Sequence, residues 1–362
     1  MTITIDCRWI DASGIGVYLQ ECLPFFLDSP HTFFLIGNAK RLSPVISGKN
    51  NAAVLDCPVK PFSIKEIVAF PKDLLKTINS CDCYYTSYFN IPGLIKIPVY
   101  TTIHDIIFPD MPELTTPLGL AARMWFYRRA FRKSAKIFTV SEFSKSRLDH
   151  YSHAAVPVVV AHSAIQPHLL NNKDAKKQDK KKILLFIGNI KKHKGLSILL
   201  EAFSLARQEG LDYRLVIAGS RENFRSREAD FSAANGDSVE FTGFLSDDKL
   251  AELLRETSLL VQPSLYEGFC LPPLEALISG TPVLISDIPA HREIYSEYPQ
   301  KVFGSELPVH WFKSGDVTDL KEKLLAITLN KKPQQIELAP ELENLYTFKR
   351  TSRTILDTWE TQ

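Results

Sequence analysis

Two carboxylates, Glu267 and Glu275, flank a turn built from Gly268 and the pair Pro272 and Pro273. Ionised carboxylates only accept hydrogen bonds, so a pair of them suits the vicinal hydroxyls of a sugar. The apolar run Leu259–Val261 leads in as a strand. Pro272 or Pro273 suits the first position of a helix, where an N–H would be unused. Gly280 stops that helix and Pro282 prevents its continuation. Glu267 is therefore expected in a loop and Glu275 in the first turns of a short helix. Helix-start N–H groups attract phosphate, which the carboxylates cannot bind. Anion-binding backbone between two hydroxyl acceptors fits a nucleotide-sugar.

The surrounding residues sharpen this reading. Glu267 and Glu275 lie within Pro-Ser-x-x-Glu-Gly-Phe-x-Leu-Pro-x-x-Glu-Ala, residues 263–276, followed by Gly280-Thr-Pro-Val283. The stretch resembles the E-x7-E signature of retaining glycosyltransferases of the GT-B fold, family 4. It departs from the family at Cys270, where glycine is usual. The resemblance implies that Glu267 binds sugar hydroxyls and orients the anomeric carbon, and that Glu275 takes the ribose hydroxyls. Gly268, Phe269, Cys270 and Leu271 would line the donor between them.

Gly188-Asn-Ile-Lys-Lys-His-Lys-Gly195 lies between a strand and the helix Leu196–Gln208. A lysine beside a helix start is well placed to meet a diphosphate. Lys194 matches the family lysine that holds the leaving diphosphate. His193 stands where the family commonly has arginine, so a second fixed charge is missing. The plainer alternative is a solvated basic loop. Thr101-Thr-Ile-His104-Asp105 sits at the carboxyl end of a strand, where open α/β sheets bind ligands. It resembles the family's His-Asp element, whose histidine contacts the donor sugar; a structural histidine is the alternative. Gly14 and Gly16 follow the first strand, either as a tight turn or as a close approach to the sugar and its phosphate. The backbone near Phe244 and Leu245 resembles the family's contact with the base, although these side chains also suit a core. Ser141 is read as the cap of the following helix.

The 362 residues suffice for two domains, and 45% hydrophobic with 23% charged residues is ordinary for a folded protein. A net charge of +2 carries no global nucleic-acid signal. The six cysteines are scattered, and Cys81-Asp-Cys83 lacks zinc-clip spacing, so buried free thiols in a reducing cytoplasm are expected. The N-terminus runs directly into a strand without a signal-peptide pattern, and no apolar run approaches the ~20 residues of a membrane span. The expectation is a cytoplasmic protein, at most peripheral to the inner face of the membrane.

Strands and helical patterns alternate in both halves, implying two doubly wound parallel α/β domains. The expected strands of the first half are Ile3–Ile5, Thr32–Gly37, Ala53–Leu55, Cys83–Thr86, Val99–Ile103, Ile137–Val140 and Val156–Ala161, all buried. The expected layout is a first Rossmann-like domain over 1–172, a charged linker over 173–182, a second domain over 183–345 and a terminal segment over 346–362. The resemblance implies that the first domain takes the acceptor and the second the donor, with the last helix returning to the first domain. Residues 121–136 hold six cations and no acid. Arg128, Arg132 and Lys136 recur at four-residue spacing as one basic helical face, suited either to anionic lipid headgroups or to solvent.

The resemblance implies a sugar transfer from a nucleoside-diphosphate donor without a metal or other cofactor, positive groups taking the metal's place. Lys194, Glu267 and His104 are the expected catalytic residues. Ile5-Asp6-Cys-Arg8 with Ser13-Gly-Ile-Gly-Val-Tyr18 most resembles bacterial mannosyltransferases of surface-polysaccharide assembly. It points to GDP-mannose as donor and a saccharide or lipid-linked oligosaccharide as acceptor. The alternatives are a sugar-nucleotide epimerase of the same fold, an inactive GT-B scaffold, and a nicotinamide oxidoreductase using Gly14-Ile-Gly16. Leu19 at the third fingerprint position speaks against the last.

Overall fold

A computed structural model gives the architecture. It describes residues 1–167, 169, 179–219, 238–303, 307, 309–329 and 342–361. The chain forms two compact units, Met1–Ala164 with Tyr346–Gln362, and Ile165–Leu345. Of the expected linker, residues 173–178 lie outside the described ones, and Lys181 and Lys182 already belong to a strand.

The first unit holds β1 (Thr2–Asp6), β2 (Thr32–Gly37), β3 (Ala52–Asp56), β4 (Cys83–Thr86), β5 (Val99–Thr102), β6 (Ser134–Thr139) and β7 (Val158–Val160). Among the described residues they form one sheet in the order β3-β2-β1-β4-β5-β6-β7, with every pair parallel. The second unit holds β8 (Lys181–Ile187), β9 (Arg214–Ala218), β10 (Val239–Gly243), β11 (Thr257–Gln262), β12 (Val283–Ser286) and β13 (Val309–Phe312). Its order is β10-β9-β8-β11-β12-β13, again all parallel. In each sheet the strand order reverses beside the first strand, at β1/β4 and at β8/β11. Open α/β sheets bind ligands at such a switch point, beyond the carboxyl ends of the strands.

The doubly wound α/β class implied by the alternating pattern is the one observed. Four local readings need correction. β3 is only half-buried, because an edge strand has a neighbour on one side. Gly14 and Gly16 lie inside the first turn of the helix Ser13–Leu27 instead of in a preceding turn. The helix Pro117–Lys133 ends before Lys136, which sits in β6, so Arg128, Arg132 and Lys136 do not share a helical face. β13 and the helix Val317–Thr328 are additional elements. The polar His310 and the brevity of β13 hide its period.

At the carboxyl end of β1 the first unit buries a charge network. Arg8 pairs with Asp6 at 2.5 Å and with Glu66 at 2.6 Å, and both carboxylates are fully buried. Tyr84 donates to Asp6 at 2.7 Å. The Asn90 amide donates to Glu66 at 2.9 Å and to Asp6 at 3.2 Å. Burial opposes ionisation of Asp6, but the Arg8 guanidinium beside it holds the carboxyl below its ordinary value. Because every member is hydrogen-bonded, the network fixes the helix Ile64–Val68 and the loop through Asn90 against the strand ends. All six cysteines are free and buried, as expected from their apolar settings.

The helix Phe348–Glu360 completes this unit against Ser13–Leu27. Trp359 is fully buried, with its ring 5.1 Å from Phe26 and 5.3 Å from Tyr85. Trp359→Ala is therefore expected to destabilise the protein by about 3–5 kcal/mol, the usual cost of emptying an aromatic core site. Urea unfolding provides the check, and a loss below about 1 kcal/mol would mean that this helix contributes little to the core.

Candidate functional site

In the second unit, β8 and β11 are neighbours whose following loops interlock. After β8 a short turn, Lys192–Lys194, leads through Gly195 into the helix Leu196–Gln208. After β11 the chain runs through Pro263–Leu271 into the helix Pro272–Ile278. Leu265 N–H donates to the His193 carbonyl at 2.7 Å, tying the two loops together. Gly195 has φ +69°, and a Cβ there would lie 1.9 Å from the Pro263 carbonyl oxygen. Both the left-handed backbone and the close approach demand glycine.

This junction brings Lys194 onto Glu267. The ammonium donates to both carboxylate oxygens, at 2.7 and 2.8 Å. Ser264 Oγ donates to the same carboxylate at 2.6 Å, and the Gln262 amide donates to Ser264 Oγ at 3.2 Å. Burial pushes the Glu267 carboxyl up, but the Lys194 charge and these hydrogen bonds outweigh it and hold the group ionised. Lys194 is 22% exposed and Glu267 only 8%, so the pair reaches solvent from the lysine side. His193 beside it is held down to about 4, first by burial and then by Lys194, and is neutral near pH 7.

Three further residues brace this carboxylate, and the sequence reading did not single out Ser264, Ser286 or His291. Ser286, at the end of β12, donates its hydroxyl to the Ser264 carbonyl at 2.5 Å. Its own carbonyl lies 2.8 Å from His291 Nδ1. A carbonyl can only accept, so Nδ1 carries the hydrogen and Nε2 is bare. Nε2 is buried without a hydrogen-bond partner among the described residues. Burial holds His291 down to about 4, so it too is neutral. The available signal was chemical: Ser264 two residues past one strand end and three before a carboxylate, and Ser286 closing the next strand.

Cys270 adopts φ +76°, in the region that favours glycine. The glycine usual at this position would sit there without strain; cysteine carries a cost of about 1–3 kcal/mol. Tyr295 OH donates to the Cys270 carbonyl and helps hold the conformation. Burial, and then the Glu267 charge, push the thiol well up, so it remains protonated. Glu267, Cys270 and His291 bring possible metal-ligating atoms within 4.8 Å of one another. Both oxygens of Glu267 already accept from Lys194, so an ammonium occupies the cation position beside this carboxylate.

Glu275 lies in the helix Pro272–Ile278, as the turn residues imply, and is buried. Its carboxylate has no hydrogen-bond partner among the described residues. Burial raises it to about 7, with Asp247 adding like-charge repulsion. The helix start offers fewer donors than expected. Pro272 and Pro273 have no N–H, and the Glu275 amide donates to the Leu271 carbonyl at 3.1 Å. Gly268, Phe269 and Leu271 complete the loop between the two glutamates, and Phe269 is buried. Phe244 is 90% exposed, which removes the core alternative for it; Leu245 is half-buried.

The remaining predicted residues belong to the first unit. His104 follows β5, with Nε2 3.1 Å from the Ser87 carbonyl and its ring 4.8 Å from that of Tyr18. Again the carbonyl fixes the tautomer, leaving Nδ1 as an acceptor. Burial holds this imidazole down to about 4. Ser141 caps the following helix through the Ser144 amide, as expected, and Ser144 Oγ donates to the His104 carbonyl at 3.1 Å. A Cβ on Gly16 would meet the Ile10 carbonyl oxygen at 2.5 Å, so packing accounts for that glycine, whereas Gly14 faces open space.

Residues 170–337 match the family described as Glycosyl transferases group 1. An uncharacterized glycosyltransferase of Methanocaldococcus jannaschii is 35% identical over 119 residues, covering 32% of this chain and 30% of that protein. The O-antigen chain mannosyltransferase B of Escherichia coli is 25% identical over 227 residues, covering 59% of each. The matches thus span from under a third to somewhat over half of these relatives. The solved Anabaena HepE, in complex with UDP and glucose, superposes with a TM-score of 0.68 at 13% identity, covering 100% of both chains. The structural likeness shows a shared fold. The residues that match the family lie within the second unit.

The state of Glu275 has a measurable consequence. Its carboxyl titrates near its ordinary 4.5 when unfolded and near 7 when folded. Between these values the folded protein keeps a proton that the unfolded chain has lost, so stability falls as pH rises through this window. The gap corresponds to about 3 kcal/mol at most. Glu275→Gln is expected to be more stable than wild type at pH 8 by up to that amount, with the difference closing near pH 4. Urea unfolding at the two pH values measures it; parallel pH profiles would contradict it.

Proposed function

We propose that this protein is a retaining glycosyltransferase that moves a sugar from a nucleoside-diphosphate donor to a saccharide acceptor. The observation that carries the reading is the Lys194–Glu267 pair, braced by Ser264 at the switch point of the second sheet. It lies within the segment that matches the glycosyl transferases group 1 family. GDP-mannose is the favoured donor, supported by the mannosyltransferase relatives and by the Asp6-Cys-Arg8 opening. A lipid-linked oligosaccharide is the favoured acceptor, in polysaccharide assembly.

Glu267 accepts hydrogen bonds from the sugar hydroxyls and orients the anomeric carbon. Lys194 turns part of its charge to the diphosphate as the glycosidic bond breaks, which stabilises the transition state more than the ground state. Glu275 takes the ribose hydroxyls. Two incoming donors favour its ionised form, so donor binding releases a proton from a carboxyl poised near 7. His104 is neutral with Nδ1 bare, suited to accept from a sugar hydroxyl. The loop Gly268–Leu271, His193, Phe244 and Leu245 of the second unit surround the donor. No side chain is assigned as a nucleophile. The acceptor attacks the face from which the phosphate leaves, and that phosphate helps to take the acceptor's proton.

A thermal-shift panel of GDP-, UDP-, ADP- and dTDP-sugars, followed by turnover with the stabilising donor, tests the reading. Stabilisation by none of them, or conversion of the donor with no acceptor present, would overturn it.

Two outcomes are specific to the proposed roles. Turnover is expected to persist in EDTA, because Lys194 supplies the positive charge at the diphosphate; loss restored by magnesium or manganese would contradict this. Lys194→Ala is expected to lower kcat roughly a hundred- to a thousandfold. It also strips a buried carboxylate of its partner and destabilises the fold by up to about 3 kcal/mol. Lys194→Ala/Glu267→Gln is expected to recover the stability and not the turnover. Near-normal turnover of folded Lys194→Ala at saturating donor would eliminate the leaving-group role.

A further inference from the structure

The first unit carries a surface that the transfer chemistry does not use. Six of the nine exposed large apolar side chains among the described residues lie in the first unit, five of them on three segments: Ile64, Val68, Leu94, Leu118 and Trp125. Ile64 is 82% and Leu94 69% exposed. Three segments bearing these residues are fastened together. The Gly93 amide donates to the Glu66 carbonyl at 2.9 Å, joining the loop Ile91–Ile97 to the helix Ile64–Val68. Arg129, on the helix Pro117–Lys133, donates to the Ile91 and Pro92 carbonyls at 3.2 and 3.0 Å. On the same helix Phe126 packs against Phe62, with ring centroids 4.7 Å apart. Trp125 stands edge-on to Phe126 at 4.9 Å.

Between these segments lies a pocket of about 310 Å³, lined by Ile67, Leu94, Ile97, Arg129, Arg132 and Lys133 among others. Leu94 holds its apolar side chain outward from a backbone with φ +65°. For a bulky residue that conformation costs about 1–3 kcal/mol. The strain yields no packing return within the unit. The charges are equally one-sided. Lys65, Lys96, Arg128, Arg132 and Lys133 make no ion pair among the described residues, and the helix Pro117–Lys133 contains no acidic residue.

Unpaired cations beside exposed leucine, isoleucine, valine and tryptophan match a surface that is anionic outside and apolar beneath. Nucleic acid would reward the cations and leave the aliphatic side chains in water. A free phosphate would occupy the pocket and likewise leave Ile64 and Val68 exposed. We propose that this face docks on an anionic phospholipid bilayer, with Arg132 and Lys133 at the headgroup phosphates and Ile64, Leu94 and Trp125 inserted at the interface. The basic surface is thus built around the Ile91–Ile97 loop; Lys136 plays no part in it.

Flotation of the full chain with phosphatidylcholine vesicles, with and without phosphatidylglycerol, tests this. Wild type is expected to float only with the anionic vesicles and to release as salt is raised. Arg132→Gln/Lys133→Gln should bind roughly 20- to 30-fold more weakly, at about fivefold per contacting cation. Ile64→Ser/Leu94→Gly should also bind more weakly while its melting temperature does not fall, because glycine relieves the strain at position 94. That combination separates docking from a structural role. Equal binding to neutral vesicles overturns the proposal. So does wild-type affinity in either folded variant, or association with an acidic polypeptide or inorganic phosphate but not with vesicles.

Discussion

The second unit is organised around one requirement, that a mostly buried carboxylate keep its charge. Glu267 lies where burial favours the neutral form, and the ammonium of Lys194, helped by the hydroxyl of Ser264, reverses that preference. These partners come from loops after β8 and β11, which lie together because the sheet changes direction between them. The contact therefore depends on topology. It depends also on Gly195, the residue through which the first loop can pass beneath the Pro263 carbonyl. A doubly wound sheet leaves its ligand-facing loops unsupported by strand pairing. Here the interlock of Leu265 with the His193 carbonyl provides the missing rigidity.

The environment of this pair is kept otherwise neutral. His193 and His291 are each held down to about 4 by burial, so neither adds charge near pH 7. The Ser286 carbonyl fixes the tautomer of His291, leaving its second nitrogen as an acceptor; in the first unit the Ser87 carbonyl does the same for His104. Cys270 stands in a left-handed conformation that would suit glycine, at the expense of strain. Local strain of this kind persists only where surrounding contacts over-determine it, and the Tyr295 hydroxyl is one such contact.

The first unit solves a comparable problem with the opposite balance. Asp6 and Glu66 share one arginine, and neutral donors from Tyr84 and Asn90 complete their hydrogen bonding. That network is closed, with no member left to engage a ligand. Its effect is mechanical: it fastens the helix Ile64–Val68 and the loop through Asn90 to the strand ends.

Several features follow from the sequence directly. The strands are near-continuous apolar runs punctuated by glycine and proline, so their existence and parallel pairing are readable from local chemistry. Glu267, Glu275 and Lys194 stand at chemically unusual positions beside those strand ends, and their residue types suffice to nominate them. Other features were not legible, because they arise between segments distant in sequence. The ion pair joins residues 73 positions apart. The raised Glu275 carboxyl reflects burial and the approach of Asp247 from another helix. Lys136 fits a helical spacing as well as a strand, and only pairing with Tyr100 in the sheet decides between them. Ser264, Ser286 and His291 are ordinary residues whose importance comes from the carboxylate they brace. Residue types set which chemistry is available along the chain; tertiary packing set which charges survive, because desolvation and long-range hydrogen bonds have no local signature.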